Sequence, residues 1–498
     1  MNKFKKFLCL GLTSLLAFTT VACGNKKDNG TTGGGGNTPG GSDKKGTVEV
    51  AVLLAGYGET PYRELAKAYM RMNPNVQVKI RFDYEINSNV ENQVNNNVNV
   101  ADIYSVRDLT QIMNFGLNGK AMDLSTVLDQ TFGAGYKESN LPVRANVDSK
   151  AIAACSLNGK TYCFPEYTSV TGIVYNASLF EEYGWEIPNT TKELEDLCNQ
   201  IIADTSGAVS PFVYCGGAAD GYLYFAVDNW LNQYAGIANL DEFYKYESAS
   251  LFAPNSKMSV GKKLAHENLL KFLKDRSQGG YALDGSMQVD HHFAQGELIK
   301  GTCAMMLNGS WFENEMAAVL SQPENQGLKF GMFPLPEMSD AEGNVLHAEG
   351  YTTQGTKRVL DASYGAYYFI PTAAKNKELA IDFLKFLNSD EACVIYSKYT
   401  NAVRPVNYNL DPDSADYAGI SFFGKSIIAM ADNNYLYSAY STSPLAIDGV
   451  ISLYPKGSYW CKTILQDSTK TVDGMISQDY SYVSGNWDYW ERTYFLGD

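Results

Sequence analysis

Arginine-rich clusters, C-x-x-C pairs, a G-x-S-x-G turn and a complete phosphate-binding loop are all missing from this sequence. The first absence, with a formal net charge of −15, argues against nucleic acid or an anionic lipid surface as partner, since both need basic surface. Without C-x-x-C the familiar zinc patterns fail. Gly159-Lys160-Thr161 ends like a phosphate-binding loop, but position 154, where its first glycine belongs, is alanine. The missing G-x-S-x-G removes the common hydrolase signature. There are only four histidines, and the adjacent pair His291-His292 lacks the spacing of two ligands on one helix face, so no metal site and no cofactor are expected. Asp411-x-Asp413-x-x-Asp416 lacks the turn glycine and closing glutamate of a calcium loop and reads as a solvated loop. Beyond residue 46 nothing resembles a membrane span.

What the sequence does have begins with a leader. MNKFKK carries three lysines and no acid, and an apolar run follows from Phe7 to Val21, short of the roughly 20 residues a bilayer needs. This is the pattern of a secretory signal peptide, residues 1–22. Thr20-Val21-Ala22-Cys23 resembles a bacterial lipobox, with Thr20 where leucine is usual. That resemblance implies lipidation of Cys23, and a diacylglyceryl group supplies the two chains that stable anchoring takes. Gly24–Gly46, with nine glycines, has almost nothing to bury, and residues 23–46 read as an anchor and flexible tether of about 25–30 Å root-mean-square span. The expected location is the outer face of the cell membrane, held by lipid alone.

About 450 residues remain to fold, more than one core comfortably holds, so two lobes are expected. Tyrosine is abundant, 34 residues beside 23 Phe and 6 Trp, which suits amphipathic ligands, although most rings must be core. The seven cysteines after the anchor, Cys155, Cys163, Cys198, Cys215, Cys303, Cys393 and Cys461, read mostly as small buried hydrophobes.

Alternation at Val48, Val50, Val52 and Leu54 gives a strand, and Thr60-Pro61 opens a helix with Thr60 as N-cap, ending at Asn73-Pro74. Val76, Val78, Ile80 and Phe82 give a second strand, completing a βαβ unit and implying parallel sheet. Further on, 102–106 and 367–370 read as strands, 191–203 and 375–387 as amphipathic helices, and the asparagine-rich 87–99 as a polar helix or loop. The fold class is α/β.

Several short motifs occur together. Leu157-Asn158-Gly159-Lys160-Thr161-Tyr162-Cys163-Phe164-Pro165 is followed by Gly172-Ile173-Val174-Tyr175-Asn176 and by Phe180, Gly184, Pro188, Thr190, Glu193 and Leu194. Phe293 and Gly296, Cys303-Ala304-Met305-Met306, Asn308-Gly309-Ser310-Trp311, a segment from Ala374 to Leu384 and Arg404-Pro405-Val406 complete the series. In this order, over about 48 to 410, they resemble the extracellular solute-binding proteins of sugar ABC transporters, the maltose-binding-protein-like receptors; the region after 415 matches poorly. The resemblance implies a periplasmic-binding-protein-like fold of two hinged lobes, 48–165 plus 366–415 and 166–365 plus 416–498. Its hinges fall near 162–167 and 363–369, and a ligand cleft lies between the lobes.

It also implies a monomeric, non-catalytic receptor that captures a carbohydrate, an oligosaccharide foremost, and passes it to an ABC permease. Two alternatives stay open: an anchored glycan-active enzyme, since acid-pair separation is three-dimensional, or the same fold holding a non-sugar solute. Trp311 stands where a relative stacks a tryptophan on sugar and is the foremost ligand residue. Tyr57, Glu59 and Tyr84 follow the first two strands, and Arg107 the third, where Asp102 reads as structural. Tyr167 and Ser169 lie after the first hinge, Asp220, Tyr222 and Trp230 in a glycine- and aromatic-rich stretch, and Glu349, Tyr351 and Tyr367 complete the set.

Overall fold

A computed structural model describes residues 44–496 apart from 218, 219, 409, 442 and 457–459, so the leader, Cys23 and the tether up to residue 43 lie outside the described residues. Its strands are β1 (Gly46–Leu53), β2 (Val76–Asp83), β3 (Ile103–Val106), β4 (Phe164–Asn176), β5 (Ser210–Val213), β6 (Cys303–Gly309), β7 (Phe330–Phe333), β8 (Val359–Phe369) and β9 (Tyr435–Ser438). The helices that matter below are α1 (Thr60–Met72), α2 (Tyr224–Phe243), α3 (Lys257–Leu273), α4 (His291–Lys300), α5 (Phe312–Glu315), α6 (Lys377–Leu387), α7 (Asp390–Thr400), α8 (Phe422–Asn433) and α9 (Val472–Trp490).

The sheet runs β2-β1-β3-β8-β4-β6-β5, with β9 beside β8 and β7 beside β4. β1 pairs in parallel with β2 and β3, as the βαβ reading requires. Two long strands carry the chain from one half to the other. Residues 164–170 of β4 pair with β8, and 171–176 pair with β6 and β7. β8 meets β3 through 367–369 and β9 through 359–362. The apolar cores divide in the same way. One set draws on 48–167 and 364–402, the other on 170–490. All seven cysteines among the described residues are buried.

Some local expectations shift. Glu59, not Thr60, occupies the N-cap position of α1, and Pro61 sits in the first turn where its missing N–H costs nothing. The strand expected at 367–370 is the end of the much longer β8. Residues 86–96 form a helix whose Ile86, Val90 and Val94 are buried in spite of the asparagines. The Gly159-Lys160 stretch is a hairpin tip: Leu157 pairs with Lys160, and Asn158 (φ 52°) and Gly159 (φ 75°) both adopt the left-handed conformation that an Asn-Gly turn favours.

Candidate functional site

The parallel strands β1, β2 and β3 end on one edge of the sheet, where α/β folds place their ligands. The loops leaving them carry Tyr57, Tyr84 and Arg107 respectively. In the other half β5 and β6 also run parallel, and β6 delivers Ser310 and Trp311 at its end. These ends meet. The hydroxyls of Tyr57 and Ser310 are 2.8 Å apart, and the Trp311 side chain packs against the first core.

Trp311 is held by its surroundings. Its ring folds back over Gly309, where a Cβ would come within 2.3 Å of the indole, so the Gly-x-Trp spacing has a steric origin. The indole Nε1 donates to the Tyr222 hydroxyl at 2.9 Å, and the ring stands edge-on to Tyr222 and Phe225 at 6.1 and 5.7 Å. His291, at the start of α4, stacks on Tyr222. Glu315 accepts a hydrogen bond from Gln295 at 2.8 Å and lies against Gly56.

Facing this platform, Tyr57 stands edge-on to Tyr167 at 4.9 Å. The Tyr167 ring crosses Gly365, in the bulge of β8, so closely that a Cβ there would lie 1.9 Å from Cε2. Burial pushes the Tyr167 hydroxyl up to about 12, against the pull of Arg107. Burial likewise raises Tyr57 and Tyr222, and the exposed Arg107 is near enough to both to oppose that rise. Beneath them, the fully buried Glu166 accepts from Tyr62 at 2.5 Å, from Tyr396 at 2.9 Å and from Ser105. Three donors satisfy a carboxylate that burial would otherwise penalise.

Tyr57, Arg107, Tyr167, Tyr222 and Trp311 are therefore brought together, and buried Ser169 lies two residues along β4 from Tyr167, on the same face by strand alternation. Glu59 instead pairs with Arg63, Nε to Oε2 2.9 Å, in the first turn of α1. Tyr84 is 73% exposed at the outer rim. Trp230 is core, its indole donating to the Pro336 carbonyl at 2.9 Å, and Tyr367 is buried among first-half core residues. Tyr351 stacks on His347 and packs against Gly236, where α2 kinks at a φ of 72°, eleven residues on from Phe225. Glu349, nearby, is exposed. The side chain of Asp220 lies outside the described residues. Sequence reasoning missed Phe225, His291, Ser310 and Glu315. Ser310 sat inside the Gly-x-Trp motif, Phe225 in the aromatic-rich stretch and His291 in the histidine pair set aside as a metal site, while nothing in the sequence marked Glu315.

The sequence pattern of the family described as bacterial extracellular solute-binding protein matches residues 55–392. The diacetylchitobiose binding protein NgcE of Streptomyces coelicolor is 21% identical over 448 residues, 88% of each chain. The GacH receptor of Streptomyces glaucescens, solved unliganded and with acarbose, superposes with a TM-score of 0.59 at 16% identity, over 89% of this chain and 98% of its own. RafE of Streptococcus pneumoniae gives 0.61 at 15% identity, over 89% and 98%. With more than half of its length matched, this chain belongs to the bacterial extracellular solute-binding proteins, a family of binders rather than enzymes.

Proposed function

We propose that the protein captures an oligosaccharide between two lobes, 48–165 with 366–415 and 166–365 with 416–498, that turn about β4 and β8. The observation that carries this is the fixed aromatic platform of Trp311, Tyr222 and Phe225, set opposite Tyr57 and Arg107. Sugars present apolar ring faces edged by hydroxyls, and ring planes beside tyrosine hydroxyls and a guanidinium match both surfaces. The relatives point the same way, since one is named for diacetylchitobiose and another was solved with acarbose. Closure delivers the loaded receptor to an ABC permease, and a lipid on Cys23 keeps it at the outer face of the membrane.

A thermal-shift screen against a glycan panel that includes N,N′-diacetylchitobiose, acarbose and raffinose tests the carbohydrate reading. A binding glycan at a hundred times its Kd should add about 2.7 kcal/mol of apparent stability. No shift with any glycan, together with a clear shift from a non-sugar solute, would overturn it. The mass of the mature N-terminal peptide tests the anchor: a diacylglyceryl adduct on Cys23 supports it, and an unmodified N-terminus elsewhere refutes it.

A further inference from the structure

The residues of the turn after β6 alternate between two allegiances. Phe312 is fully buried in the second half, with ring neighbours Phe330 at 5.4 Å and Phe423 at 5.6 Å, and Met316 joins it in the same core. These two fix the turn to that half. The residues between and beside them reach toward the first. The Trp311 Cβ and the Glu315 carboxylate lie against Gly56. Asn314 donates to the Tyr399 carbonyl at 2.9 Å, near the end of α7. Glu313 accepts from the Asn401 side chain at 3.0 Å and from Ser421 at 2.6 Å.

Asn401 is the left-handed C-cap of α7, whose Tyr396 belongs to the first core, while Ser421 caps α8, whose Phe423 and Ile427 belong to the second. One carboxylate thus holds both sides of the seam. Burial raises its pKa, and the hydrogen bonds from Ser421 and Asn401 oppose that rise. The platform tryptophan and the seam residues share a five-residue turn, Trp311 to Glu315.

We propose that Glu313 and Asn314 are positioning residues that couple contact at Trp311 to closure of the two halves, an inference that rests on the binding function proposed above. The test uses the full mature chain, first without any sugar. Glu313→Ala and Asn314→Ala should each raise amide exchange at 399–403 and 311–316 about tenfold and enlarge the radius of gyration in small-angle scattering, leaving exchange in β1 unchanged. Glu313→Gln keeps an oxygen for Asn401 and Ser421 and should restore both readings. Unaltered exchange and radius in the alanine variants would overturn the proposal, as would a Gln variant no better than Ala. With N,N′-diacetylchitobiose as probe, dissociation should be faster from Glu313→Ala than from the unaltered chain. Altered exchange and scattering in a protein that binds no glycan would support the coupling and count against the carbohydrate reading alone.

Discussion

The Tyr57 hydroxyl, released by the first strand of one half, lies 2.8 Å from the Ser310 hydroxyl at the end of β6 in the other. Both groups are buried, so their pairing is neither screened nor readily replaced by water. Tyr57→Phe and Ser310→Ala should each cost about 1 kcal/mol, and the double variant should cost clearly less than their sum. Denaturant melts of the four proteins give the cycle; full additivity would show that the two hydroxyls do not interact in solution.

Trp311→Ala should weaken binding of whichever panel glycan stabilises the unaltered protein by at least about tenfold, as expected for loss of a stacking ring. The melting temperature should change little, because the indole is only half-buried. Gly309→Ala should weaken binding similarly, since its Cβ would push the ring out of place. Calorimetric titration checks both, and affinity unchanged by Trp311→Ala removes that residue from the site.

Gly365→Ala places a methyl inside the Tyr167 ring, and overpacking of this kind costs about 1–3 kcal/mol. Adding Tyr167→Ala to that variant should recover part of the loss. If Gly365→Ala melts like the unaltered protein, the ring does not cross the bulge as described.

Acid should relieve a cost at the C-terminal helix. Asp479 in α9 is buried, and burial pushes its pKa up to about 6, opposed by nearby Lys262 of α3 and by a backbone hydrogen bond from Lys456. The folded form holds a proton that the unfolded chain has released, so this group's contribution to stability falls as pH rises from about 4 to about 6. Asp479→Asn should flatten that part of the stability profile, by on the order of 2 kcal/mol across the window. Parallel profiles for the two proteins would contradict the assignment.

Thiol reagents should leave the native protein almost untouched at neutral pH. Burial raises Cys163 and Cys198 and pushes Cys303 and Cys393 up to about 12, so the thiolate that reacts is scarce as well as inaccessible. Mass spectrometry after alkylation in buffer and then in denaturant tests this; native labelling of Cys393 would refute it.

The parts of the fold legible in the sequence were those with one wet face. β2 alternates buried and exposed residues in its first half, and α6 shows its apolar stripe plainly. β4 does not: every residue but Tyr175 is buried, including Glu166, Thr168 and Ser169, so polarity there reports internal partners and not solvent. β8 was cut short in the reading for a related reason, since Gly365 and its bulge interrupt the pattern. At the site, strand-end loops and the Gly-x-Trp motif led to Tyr57, Arg107 and Trp311. Trp230 and Tyr367 share the same residue types and differ only in which way the backbone turns them. Phe225 and His291 join the platform through contacts that are distant in sequence.

β1 starts beside α6, where Lys44 pairs with Asp382 at 2.7 Å, and finishes eight residues later just before Tyr57. The chain therefore enters this half about 26 Å from the mouth of the cleft, at the opposite pole. Whatever precedes Lys44 therefore joins the fold at the end of β1 remote from Tyr57 and the Trp311 platform. A bulky tag attached ahead of Lys44 should leave glycan affinity intact, because it joins the strand at the end that does not carry the site.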